Sequence, residues 1–337
     1  MIEPTNRHIL RGQVLSFRDD PFLVGPDAAI QFESDGAVLI ENGRIRRVGP
    51  AQPIIAENPR LAAEAYTQDI IMAGFVDCHV HYPQYEVIAS YGEQLLEWLN
   101  RYTFPAELKF DDGEYARQAA EFFLDECLCN GTTTASVYAT VHPQSVDAFF
   151  RAAQARGMCM ATGKVMMDRG APEGLIDTPQ SGFDQSKALL EKWHGYDRLK
   201  YVVTPRFAVT STHEQLEAAG ALWQAHPTAL MQTHISENAA EIALVGELFP
   251  ETTDYFGVYE QFGLVGQGSN FGHAIHLTDR ERQAFRATGS GISHCPTSNL
   301  FLGSGLFDME GLRESSNDVP IGLATDIGGG SSLSMLR

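Results

Sequence analysis

Residues 75–84 read FVDCHVHYPQ. Successive side chains on a strand alternate faces, so His79 and His81, at the end of this short apolar run, project to the same side and Cys78 to the other. The two imidazoles can therefore grip one metal ion together. A single His-x-His pair in a chain with 11 histidines is a weak signal alone. It gains weight from three further residues, each closing another apolar run: His234 in ALMQTHISE (229–237), His273 in SNFGHAIHL (269–277) and Asp326 in IGLATDIGGG (321–330). Neutral imidazoles with one carboxylate suit a borderline ion such as zinc, and a catalytic site leaves one position open for water. An isolated histidine or aspartate is usually just packed or solvated. Scattered residues of this kind meet in space only if the strand ends that carry them converge.

That condition points to the fold. From Ile70 onward eight short apolar runs follow one another: IIMAGFVDCHV, TTTASVYAT, MCMATGKVMM, LKYVVTPRF, ALMQTHIS, SNFGHAIHL, GISHCPTSN and PIGLATD. Segments of helical period separate them, among them 112–131, 146–157, 212–226 and 279–289, often with glycine at or just past the end. Eight alternations predict an α/β fold, a (β/α)8 TIM-like barrel whose site lies at the C-terminal strand ends. A doubly wound sheet is the alternative, but no Gly-x-Gly-x-x-Gly follows the first strand and no phosphate loop is present. Ahead of the barrel, HILRGQVLSF (8–17) and AVLIENGRIRRVG (37–49) read as strands, with Asn42-Gly43 as a two-residue hairpin turn. The expected organisation is a small β-sandwich part over residues 1–68 and the barrel over 69–337.

Composition narrows the function. The chain has 337 residues, with 24 basic against 43 acidic side chains and a net charge of −19. Such a surface repels nucleic acid polymers and anionic membranes. No apolar stretch approaches the roughly 20 residues that span a bilayer, and the N-terminus lacks the features of a signal. Five cysteines at irregular positions do not form a disulfide framework. A cytoplasmic protein acting on a small molecule is expected.

Eight blocks, in order along the chain, carry a family resemblance: MAGFVDCHVHYPQY, LLEWLNRYTFPAE, NGTTTA, VTPRF, THISEN, GHAIHLT, HCPTSNL and GLATDIGGG. They resemble the guanine deaminases of the metal-dependent amidohydrolase superfamily. His-x-His and the terminal aspartate are shared across that superfamily, whereas EWLNRYTFPAE and TPRF are more restricted. The resemblance implies one zinc ion per chain on His79, His81, His234 and Asp326. His273 would sit beside it, as a ligand or as a hydrogen-bond donor to its water. Some superfamily members bridge two metals with a modified lysine closing the fourth strand. Here Lys200 opens that strand, so one metal is expected.

The chemistry implied is hydrolysis of a C–N bond of a cyclic amidine, guanine giving xanthine and ammonia in purine catabolism. Glu237, three residues after His234, would shuttle the proton, with Asp326 and His273 as the other catalytic groups. An acid at that position is otherwise ordinary for a helix N-terminus. Purine recognition needs donors and acceptors around a flat apolar ring. Gln84 offers both, Arg206 a fork of donors and Phe207 a stacking face, with His234 and Glu237 also against the substrate. Gly328, Gly329 and Gly330 would admit close backbone approach or simply form a turn. Trp98, Tyr102 and Phe104 are either pocket lining or helix packing. Alternatives are a related amidohydrolase acting on another purine or a triazine-type heterocycle, and a noncatalytic truncated scaffold. Family members usually continue well past the aspartate motif, whereas this chain stops at Arg337. A truncated product lacking the last barrel helix is therefore expected, with homodimers forming from the full-length form.

Overall fold

The computed structural model describes residues 6–90, 94–313 and 319–337. The chain divides between Gly74 and Phe75 into two compact units. In the first, β1 (Arg7–Phe17), β2 (Ile30–Glu41), β3 (Arg44–Pro50) and β4 (Ala63–Ile71) form a sheet of order β3-β2-β1-β4. Asn42 (φ 51°) and Gly43 (φ 71°) turn β2 into antiparallel β3. Both residues are left-handed, as a hairpin turn matched to strand twist requires. Ile9, Ala37, Leu39, Ala51 and Ile54 make its small core. Strand β4 has no signature in the sequence: AEAYTQDII is almost entirely exposed and carries little apolar alternation, yet it pairs parallel with β1.

In the second unit every predicted run contributes a strand, the first only from Phe75 because Ile70 and Ile71 end β4: β5 (Phe75–His81), β6 (Thr132–Tyr138), β7 (Cys159–Gly163) continued by β8 (Val165–Met166), β9 (Lys200–Pro205), β10 (Leu230–Ile235), β11 (Ser269–His273), β12 (Gly291–His294) and β13 (Ile321–Leu323). The parallel ladder runs from β5 to β13 in chain order. Two backbone hydrogen bonds bring the ends together just past β13: Asp326 N–H donates to the His79 carbonyl at 2.9 Å, and His81 N–H to the Ile327 carbonyl at 2.7 Å. The eight strands thus form a nearly closed (β/α)8 barrel. Helices such as Gly113–Cys129, Pro143–Ala155, Pro179–Trp193 and His213–Ala225 cover it with apolar faces, and Phe123, Phe149, Phe150 and Phe256 are fully buried. Among the described residues no helix is long and apolar enough to cross a membrane.

The third barrel strand breaks at Lys164, whose ammonium is completely buried and paired with Asp177. Lys200 is exposed at the N-terminal end of β9, opposite the end that carries Arg206.

Candidate metal centre and pocket

The parallel arrangement delivers polar side chains to one end of the barrel. Alternation on β5 aims both His79 and His81 inward, β10 brings His234, β11 ends on His273, and Asp326 follows β13. Left-handed backbone at Ser236 (φ 50°), His273 (φ 71°) and Asp326 (φ 48°) turns the chain sharply at three of these ends. Each such non-glycine residue costs about 1–2 kcal/mol, which the surrounding packing must offset.

His81 Nε2 lies 3.2 Å from both His79 Nε2 and His234 Nε2. Asp326 Oδ1 is 3.3 Å from His79 Nε2 and 3.5 Å from His81 Nε2. Ligand atoms each about 2.0–2.1 Å from a tetrahedral zinc would stand about 3.4 Å apart, the scale of these four spacings. The three imidazoles form one such group, and Asp326 stands in a second with His79, His273 and Cys295. Their protonation fits too. Burial, reinforced by neighbouring histidines, holds His81 and His234 well below the usual imidazole range and therefore neutral. His234 Nδ1 is 2.7 Å from the Arg206 carbonyl, so the ring donates there and leaves Nε2 as a lone pair. Burial alone would raise Asp326, but its hydrogen bond with His79 and the nearby imidazoles bring it to about 2. It is a carboxylate at any physiological pH. Below the cluster, buried Asp77 accepts from the N–H groups of Thr325 (3.1 Å) and His79 (3.2 Å), tying the last strand to the first.

Beside this cluster is a pocket enclosing about 400 Å³, part of it open to solvent. Leu95, Trp98, Leu99, Phe207 and Leu302 give it apolar walls, and His81, Gln84, Arg206, His234, Glu237, His273 and Asp326 reach into it. Apolar walls with a few converging polar groups are the mixture of a small-molecule site. Glu237 is buried, 3.3 Å through Oε2 from His273 Nε2, and accepts the Ser304 hydroxyl at 3.0 Å on Oε1. Burial raises its carboxyl above the usual range. For His273 burial opposes the charge, but Glu237 and Asp326 outweigh it and hold the imidazole above its ordinary value. Its Nδ1 faces Asn299 Oδ1 at 2.9 Å.

Residues 70–337 match the amidohydrolase family. The chain belongs to that family. This amidohydrolase is 47% identical over 311 residues to the guanine deaminase of Escherichia coli (strain K12), covering 92% of this chain and 70% of that protein. It is 40% identical to a probable guanine deaminase of Deinococcus radiodurans, covering 98% and 75% respectively. Among solved structures, the E. coli guanine deaminase superposes with a TM-score of 0.95 at 44% identity, covering 98% of this chain and 76% of that one. The guanine deaminase from C. acetobutylicum with bound guanine gives 0.92 at 28% identity, covering 98% and 77%.

The amidohydrolase brings its sequence-singled residues to one place. Of the residues expected to bind metal or substrate or to take part in catalysis, all but His79 line the pocket, and His79 stands against the residues that do. Glu237 is not a helix cap: Asn238 and Glu241 form the capping box of helix Ala239–Leu248, leaving the Glu237 carboxylate free to face His273. Gly328 and Gly330 serve packing, since a Cβ on Gly330 would lie 1.8 Å from the Thr325 carbonyl oxygen and one on Gly328 2.6 Å from that of Gln84, whereas Gly329 lines the pocket. Trp98 lines the pocket, whereas Phe104 lies beneath the Arg206 guanidinium, 5.5 Å from ring to Cζ. Sequence reasoning passed over Glu107, Asn299 and Ser304, although Glu107 and Asn299 stand in quoted blocks.

Gly272 is a further requirement. It pairs with His234 in the ladder, and a Cβ there would lie 2.5 Å from His79 Cε1 and 2.8 Å from its Nδ1. Gly272→Ala is expected to push the His79 ring out of the cluster and lower bound metal at least about tenfold, the scale set by losing the support of a ligand. Metal quantification on the folded variant checks this; full occupancy would mean that the ring has room to move.

Proposed function

We propose that this amidohydrolase deaminates guanine hydrolytically to xanthine and ammonia, with one zinc ion held by His79, His81, His234 and Asp326. The observation that carries the reading is a cluster of three imidazoles, with Asp326 against two of them, beside a pocket walled by Arg206, Gln84 and Phe207. The similarity to proteins named guanine deaminase, extending over nearly the whole chain, supports the substrate.

When bound, zinc supplies a water acidified to a pKa of about 7. The protein residues do the rest. At the guanine carbon bearing the exocyclic amine a C–O bond forms and the C–N bond breaks, so a proton must reach a ring nitrogen and another the departing amine. Glu237 carries them: burial raises its carboxyl above the usual range, which equips it to take a proton and release it. Asp326, ionised throughout, accepts a hydrogen bond from the attacking water and aims it. His273, between Glu237 and Asp326, donates to the oxygen that develops charge. Arg206 and Gln84 donate to the carbonyl and ring-nitrogen edge, and Phe207 offers its face to the purine. A cytoplasmic location, and a homodimer in the full-length form, belong to the same reading and are tested by fractionation and sedimentation.

The test is ammonia release from guanine by the zinc-supplemented protein, with bound metal quantified. Turnover with one zinc per chain is expected. Stoichiometric zinc with guanine left unchanged would move the reading to another heterocycle or to a noncatalytic scaffold.

A further inference from the structure

The block EWLNRYTFPAE (97–107) ends in a residue that no part of the chemistry above uses. Glu107 is completely buried and does not line the pocket. Both its oxygens accept from Arg206 Nη1, each at 2.8 Å, and Oε1 also accepts from Gln84 Nε2 at 2.9 Å. One carboxylate thus joins the two polar side chains that face a ligand from this wall. Phe104, on the same short helix, packs its ring under the guanidinium. The backbone is held as well, because the Arg206 carbonyl takes both the N–H and the ring of His234.

The consequence for Gln84 is specific. A glutamine amide can present oxygen or nitrogen on either side, and its neighbours choose. Here Nε2 meets a carboxylate, which as an ion only accepts, while Oε1 accepts the Gly328 N–H at 3.2 Å. Reversing the amide would set oxygen against carboxylate and N–H against N–H. The amide therefore has one orientation, leaving one N–H and one lone pair for a ligand. Arg206, with Nη1 engaged, keeps its remaining N–H groups for the same purpose.

We propose that Glu107 is the positioning residue that sets the specificity of this pocket, by fixing Arg206 and Gln84 as a donor pair for a heterocycle with a ring carbonyl. The assignment rests on the guanine reading and deepens it. Glu107 touches no reacting atom; it acts through the two residues that touch the ring. A carboxylate is required because it alone accepts from both partners while balancing a buried guanidinium.

The experiment compares wild type with Glu107→Gln, whose amide turns a donor toward two donors. Guanine KM is expected to rise roughly tenfold or more with kcat less affected and zinc content unchanged. The discriminating readout is competitive inhibition by hypoxanthine, which carries the ring carbonyl, against unsubstituted purine, which lacks it. The wild-type preference for hypoxanthine should shrink roughly tenfold in the variant, a ratio that a merely structural role would leave intact. Glu107→Asp keeps the charge but loses reach, and should shrink the ratio less; it decides the matter if Glu107→Gln does not fold. A wild-type ratio in whichever variant folds overturns the assignment while leaving guanine deamination standing. A wild type that neither turns over guanine nor prefers hypoxanthine to purine overturns both.

Discussion

Replacing Glu237 with glutamine should leave zinc in place and lower turnover of guanine by about 10²–10⁴-fold, the range supplied by a positioned proton carrier. Glutamine keeps the volume and can still face Ser304 and His273, so the cluster around Asp326 keeps its shape. What it lacks is a group that can take and return a proton. The surroundings of the carboxyl equip it for proton transfer, because burial disfavours its charge and Asp326 adds repulsion, while His273 and the Ser304 hydroxyl oppose them, leaving it above the ordinary range. The rate profile of the wild type should carry one ionisation that the variant lacks. Equal metal content with turnover within threefold of wild type would assign the proton to another group.

Zinc removal is the second large effect. A chelator should take activity to background and lower the thermal midpoint, and re-added zinc should restore both, since an ion that binds only the folded chain stabilises it by mass action. His234→Ala should reproduce the loss of activity and make the midpoint insensitive to chelator. Three imidazole nitrogens, with an ionised carboxylate oxygen 3.3 and 3.5 Å from two of them, define the site. Losing one of four leaves a site weaker by at least about 100-fold, beyond the 10–100-fold typical of disturbing a supporting partner. Full zinc occupancy in His234→Ala would remove that histidine from the ligand set.

Local rules reach some of these residues and not others. His79 and His81 were legible because strand alternation is a local rule, and His234, His273 and Asp326 because each closes an apolar run. Glu107 was not, although its block was conspicuous: nothing in FPAE says that a helix five residues long will bury a carboxylate against Arg206, 99 positions away. Glu237 was legible as an acid beside a ligand, but the competing capping role was excluded only when Asn238 and Glu241 were seen to take it. Strand β4 escaped because its exposed residues carry no burial pattern.

By itself, then, the sequence determined the parallel barrel, the face on which its site lies and the residue types able to hold a metal. These follow from hydrophobic period and strand alternation, which act over a few residues. Tertiary structure alone decided that the imidazoles and Asp326 meet at one end of the barrel, which carboxyl faces His273 and is raised by burial, and which way the Gln84 amide points. Those depend on burial and on partners brought from distant strands, where low dielectric and close packing, not local propensity, set the outcome.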